Sequence, residues 1–138
     1  MSARRKGREL ALQMLYQWDV ARPPLEQVAA SVSEFSAPGE TALRFASALV
    51  ASTVDRIEEI DALIAAASER WRLDRMSIVD KNILRLAVCE LMERTTPRSV
   101  VINEALEVTK RFSTPDATAF VNGVLDAVGT RLETTAEK

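Results

Sequence analysis

The sequence contains no histidine and only one cysteine, Cys89. Those two scarcities remove whole classes of chemistry. A Ser-His-Asp or Cys-His catalytic arrangement cannot be assembled, and neither can a zinc site built from cysteine and histidine. A lone cysteine closes no internal disulfide, which suits a reducing compartment. Cys89 lies among Ala87, Val88, Leu91 and Met92, and reads as an inert core thiol. Four glycines and five prolines offer few turn positions in 138 residues, which favours long helices over many short strands. Aromatic residues make up 5% of the chain, so the core must rest on Leu, Ile, Val and Ala. No apolar run approaches the roughly 20 residues of a membrane-spanning helix. Glu9, Gln13 and Gln17 interrupt the stretch that would follow the basic N-terminus of a signal peptide. The expected address is therefore the cytoplasm.

Enzyme signatures are scarce too. The scattered glycines form no GxGxxG or Walker pattern. The carboxylate pairs Glu58–Asp61 and Glu104–Glu107, each at i, i+3, read as solvated helix faces in a chain with 20 Asp and Glu. Neither a catalytic centre, a metal site nor a cofactor is expected.

What is present is helical periodicity. The 47% hydrophobic and 28% charged composition is that of an ordinary globular domain. Apolar spacing predicts an all-α fold of about seven helices. The first runs from about Ala3 to Val20, with Leu10, Ala11, Met14, Leu15 and Trp18 on one face, and Pro23-Pro24 ends it. The second spans about Leu25–Phe35, with Val28, Val32 and Phe35 facing inward. Glu40 to about Arg70 is periodic throughout but too long for one ordinary helix, so a break is expected near Ser52–Asp55. Ser77 with Asp80 forms a variant helix-start box. The helix that follows, to about Glu93, is apolar around nearly its whole circumference, which predicts a central buried post. It also holds Asp80, Lys81, Asn82 and Arg85, and any of these that is buried needs a partner. Ser99 is read as the cap of a helix reaching Arg111. Thr114-Pro115-Asp116 is read as the start of the last helix, fraying from about Thr134. Gly123, inside that helix, is expected to permit close approach of a neighbouring helix. These elements divide near residues 1–72 and 73–138 into two small bundles expected to form a single domain.

Charge is placed unevenly. Arg4, Arg5, Lys6 and Arg8 lie within the first eight residues, and the remaining 14 Lys and Arg face 20 Asp and Glu, a balance of −6. A small basic tip on an acidic body fits a local anionic contact rather than a nucleic-acid-coating surface. Spacing alone also allows a solvated terminus. A second stripe on the first helix, Arg5, Glu9, Leu12 and Tyr16, fits either a contact surface or packing within the chain.

Four stretches, taken together, resemble the NusB family of transcription antitermination factors. They are RRKGRELALQMLYQWD at Arg4–Asp19, DKNILRLAVCEL at Asp80–Leu91, INEALEVTKRF at Ile102–Phe112 and FVNGVLD at Phe120–Asp126. The resemblance implies two packed helical bundles. It also implies a non-enzymatic factor that binds the boxA element of ribosomal RNA leaders with NusE, a ribosomal small-subunit protein, within the RNA polymerase antitermination complex. By position, Arg4, Arg5 and Arg8 match the family's arginine motif, implying phosphate and base contacts to single-stranded RNA. Asp116 and Phe120 match positions bordering the same RNA surface. Phe120 is placed either to stack on an unpaired base or to close the edge of the apolar stripe. Tyr16, Asp74 and Asp80 match positions implicated in holding NusE. A homodimer through the Tyr16 stripe stays open as an alternative. Ala119 stands where relatives can carry a basic residue, so weak RNA binding alone and tighter binding with NusE are expected.

Overall fold

The computed structural model describes residues 2–68 and 75–137, which hold seven α-helices and no strand. The helices are α1 (Ala3–Ala21), α2 (Leu25–Ser36), α3 (Glu40–Asp55), α4 (Ile57–Ala67), α5 (Ile78–Glu93), α6 (Arg98–Phe112) and α7 (Ala117–Glu137). They fall into two compact units, Met1–Asp55 and Arg56–Lys138. The division lies at Asp55–Arg56 rather than near residue 72, because α4 packs on α5 and α7. Asp74 lies outside the described residues.

In the first unit α1 packs most extensively on α3, and α2 lies against both. The reason is small residues where the backbones meet. Ala11 and Ala46 are wholly buried, and a Cβ on Gly7 would stand 3.1 Å from the Ala42 carbonyl oxygen. Leu10, Met14, Leu15, Leu49 and Val50 fill the space between, with Val28 and Val32 supplied by α2. α1 ends at Arg22, whose backbone is left-handed (φ 54°) and whose N–H donates to the Trp18 carbonyl at 2.7 Å. The Arg22 guanidinium lies 3.9 Å from the Trp18 ring centroid, and Pro23 forbids continuation. Phe35 does not face inward: it is 85% exposed on the last turn of α2, and nothing in the structure explains it.

The break between α3 and α4 falls at Arg56, one residue beyond the expected segment. The Thr53 hydroxyl donates back to the Leu49 carbonyl at 2.7 Å, a bond that competes with the helical ladder. Glu58 and Glu59 then favour a fresh N-terminus, and Glu59 accepts from the Arg56 guanidinium at 3.1–3.2 Å.

In the second unit α5 is the post that the all-round apolar pattern predicts: every residue from Asn82 to Leu91 is buried, and α4, α6 and α7 all pack on it. The buried charge finds its partner. Arg85, with a 6% exposed side chain, donates from Nε and Nη2 to the two carboxylate oxygens of Asp61 at 2.8 Å each, and from Nη1 to Asn82 Oδ1 at 3.0 Å. Cys89 is wholly buried, as its neighbours imply.

α6 begins at Arg98 after Pro97, not at a Ser99 cap. Arg98 is drawn in by its anchorage to α7: it reaches the Asp126 carboxylate at 2.7 Å, the Thr130 hydroxyl at 3.1 Å and Glu133 at 3.0 Å. Bonds to Glu133, and then to Asp126, raise its pKa further above the ordinary arginine value, so it stays cationic at any physiological pH. α7 begins at Ala117, because Thr114–Ala117 closes a separate turn first. It continues through Glu137 rather than fraying at Thr134.

The glycine expectation is corrected by the same helix. Gly123 is exposed and an added Cβ would meet nothing within 4 Å, whereas at Gly129 it would lie 2.6 Å from Arg98 Nε. The close approach is therefore at Gly129. Gly123→Ala should raise stability by about 1 kcal/mol, the ordinary helix-interior difference. Thermal melting of that variant checks this; a fall in midpoint would show a neighbour that the geometry lacks.

Candidate nucleic-acid interface

The arginines singled out from sequence cluster in the first unit, with Tyr16 about two turns further along α1, and Asp80, Asp116 and Phe120 cluster in the second. In the first, Ser2 fixes where α1 begins, its Oγ accepting from the Arg5 N–H at 3.1 Å. Three arginines and a lysine thus occupy the first two turns of a helix with no acid in its first turn. Cations at this end oppose the helix dipole and weaken the helix. The same charges, added to the positive end of the dipole, create a site for an anion.

The four cations are not equivalent. Arg4 and Lys6 are exposed and Arg5 is half-buried, but Arg8 is only 7% exposed. The Arg4 and Arg8 guanidinium carbons lie 5.7 and 5.3 Å from the centroid of the Phe45 ring, which α3 supplies. Sequence spacing gave no sign of Phe45 here. The second stripe of α1 divides: Glu9 and Leu12 are buried, while Tyr16 stays 41% exposed. Val20, one turn further on, is exposed beside it and extends the apolar strip.

In the second unit, Asp80, Asp116 and Phe120 line one surface pocket of about 240 Å³, together with Arg75, Ser77 and Thr114. The family resemblance implies a protein partner for Asp80 and RNA for the other two; the fold gathers all three on one pocket. Ser77 caps α5 by accepting from the Asp80 N–H at 3.0 Å, as the helix-start box predicts. The Ser113 hydroxyl donates to Asp80 Oδ1 at 2.5 Å, tying the turn before α7 to the start of α5. Ser113 was invisible from sequence, since its partner lies 33 residues away. Asp116 is exposed and Phe120 half-buried at the rim. Ionised carboxylates only accept hydrogen bonds. The Asp80 and Asp116 carboxylates can therefore meet the amino groups of a base, with the Arg75 cation on the same lining.

Among the described residues no acidic, cysteine or histidine cluster could hold a metal ion, and no helix is long and apolar enough to cross a membrane.

The model of the NusB family matches residues 5–130. The chain belongs to the NusB family. The transcription antitermination protein NusB of Geobacter sulfurreducens is 47% identical over 134 residues, covering 96% of this chain and 97% of its own. NusB of T. maritima superposes with a TM-score of 0.83 at 35% identity, over 92% of this chain and 90% of that one. A structure of the antitermination factors NusB and NusE in complex with double-stranded RNA gives a TM-score of 0.86 at 31% identity, over 95% of this chain and 98% of the matched chain. The all-α fold read from periodicity is thus the fold of the family.

Proposed function

We propose that this chain is a transcription antitermination factor that binds boxA RNA of ribosomal RNA operon leaders together with NusE and promotes read-through by RNA polymerase. The observation that carries the reading is full-length similarity to NusB proteins, one of them solved with NusE and RNA. The chain acts by binding, without catalysis or cofactor, in the cytoplasm, and residues 1–138 work as one RNA-binding domain.

Arg4, Arg5 and Arg8 supply positive charge to the RNA, with Arg4 and Arg5 the better placed to meet phosphate because Arg8 is nearly enclosed. Asp116 and Phe120 supply base contacts: a carboxylate for an amino group and a ring face for stacking. Tyr16, Asp74 and Asp80 hold NusE. The formal net charge is −2, so the attraction to RNA is local to the basic tip rather than spread over the chain. NusE is needed to complete the site.

Fluorescence anisotropy of a labelled boxA oligonucleotide, with a scrambled oligonucleotide as control, tests this reading. Weak binding by the chain alone should tighten by roughly tenfold or more with NusE, within the usual span of coupling between sites, and only for boxA. Equal binding of both oligonucleotides, or no effect of NusE, would mark a protein adaptor instead. In the same assay Phe120→Ala should lose about 1–3 kcal/mol of RNA affinity, the worth of one stacked base. NusE affinity without RNA should stay unchanged. An unaltered RNA affinity would assign Phe120 to the core edge alone.

A further inference from the structure

We propose that Phe45 is a positioning residue for RNA binding: its ring fixes the Arg4 and Arg8 guanidinium groups at the start of α1. The inference rests on the RNA-binding reading above.

Three observations meet at this ring. Arg4 and Arg8 stand at i, i+4 on one edge of α1, and both guanidinium carbons lie within 6 Å of the Phe45 centroid. A cation within that range of an aromatic face is attracted by the ring's quadrupole. Between them, Gly7 leaves room for the ring: a Cβ there would stand 2.6 Å from Phe45 Cδ1 and 3.2 Å from Cγ. Phe45 is also only partly buried, unlike Ala42, Ala46, Leu49 and Val50 on the same helix. A residue serving the core alone would be enclosed like them.

The consequence is one of entropy. A free arginine samples many rotamers, and a phosphate contact must freeze them. A ring that already confines two guanidiniums removes part of that cost before RNA arrives. Arg4 and Arg8 share one edge of α1, so the ring shapes a two-cation edge rather than a single contact.

The test compares Phe45→Leu, which keeps apolar bulk but removes the ring, with Phe45→Tyr, which keeps it. Gly7→Ala is the third variant: its Cβ must push the ring aside and also crowds the Ala42 carbonyl oxygen at 3.1 Å, so its RNA loss counts only where NusE binding and melting stay near the parent's. Each is titrated against labelled boxA RNA with saturating NusE, against NusE alone, and followed by thermal melting. Arg5→Glu serves as the control for the RNA-binding reading itself. Phe45→Leu and Gly7→Ala should bind RNA about three- to tenfold more weakly, the size of one or two cation–π contacts. Phe45→Tyr should match the parent, and all should bind NusE normally. If Phe45→Leu binds RNA like the parent while Arg5→Glu does not, the positioning role is refuted. Equal losses toward RNA and NusE would refute it too, as the mark of general unfolding. Should Phe45→Leu not fold, Gly7→Ala against Phe45→Tyr decides on the same criteria. If Arg5→Glu itself binds normally, the RNA-binding reading has failed first.

Discussion

Asp61→Ala should cost about 3 kcal/mol of unfolding free energy, the largest stability effect expected from a single polar substitution in this protein. The magnitude follows from what is left behind. Arg85 is buried in the middle of α5, and Asp61 on α4 accepts two hydrogen bonds from it at 2.8 Å each. Asn82 Oδ1 accepts one more, but a neutral amide cannot neutralise a guanidinium. Removing the carboxylate takes both of its hydrogen bonds from a buried guanidinium, and the desolvation penalty left behind dominates over the lost attraction. Because the Asp61 side chain is 26% exposed, the low end of the usual range for buried pairs applies. Urea unfolding measures it directly. Asp61→Asn should lose less, since one acceptor survives. A loss below about 1 kcal/mol for Asp61→Ala would place the pair with ordinary surface ion pairs.

The second large effect is on binding. Arg5→Glu should weaken boxA affinity roughly tenfold or more and reduce the salt dependence by about one phosphate contact. The substitution removes one cation from a cluster of four and adds an anion to it. Outside that cluster 14 Lys and Arg face 20 Asp and Glu, so the rest of the chain is net negative. Arg5 is a better choice than Arg8 for this experiment. A glutamate at Arg8 would be enclosed against the Phe45 ring, so folding and binding would fail together. Circular dichroism should show unchanged helicity for Arg5→Glu. Binding equal to the parent at every salt concentration would remove the N-terminal cluster from the RNA site.

Much of this fold was legible because helical burial repeats every three to four residues. The continuous burial of α5 and the Ser77 cap were read from the pattern alone. So was the need for a break between α3 and α4, though its place was not. Arg56 became the junction through a threonine back-bond and a local ion pair, which periodicity does not encode. Partners across helices were equally hidden. Sequence spacing said that any buried charge in α5 would need a partner, but it read Asp61 with Glu58 as a solvated face rather than as the partner of Arg85. It pointed to Gly123 for the close approach in α7, whereas Gly129 is the glycine that faces Arg98.

The candidate site shows the same limit. The family resemblance, position by position, led to the arginines, Asp80, Asp116 and Phe120. Their inequality came only from the fold: Arg8 enclosed, Arg4 exposed, and Asp80 held by Ser113 beside Asp116 and Phe120. The aromatic ring under the arginines comes from another helix entirely, so no local motif could announce it.

One measurement bears on the central claim more directly than any substitution: photo-crosslinking of boxA RNA in the complex with NusE, with the attachment sites read by peptide mass spectrometry. The account predicts crosslinks in this chain on Arg4–Arg8 and on the Ser113–Phe120 segment. Crosslinks confined to other surfaces of the chain, with both segments untouched, would contradict it.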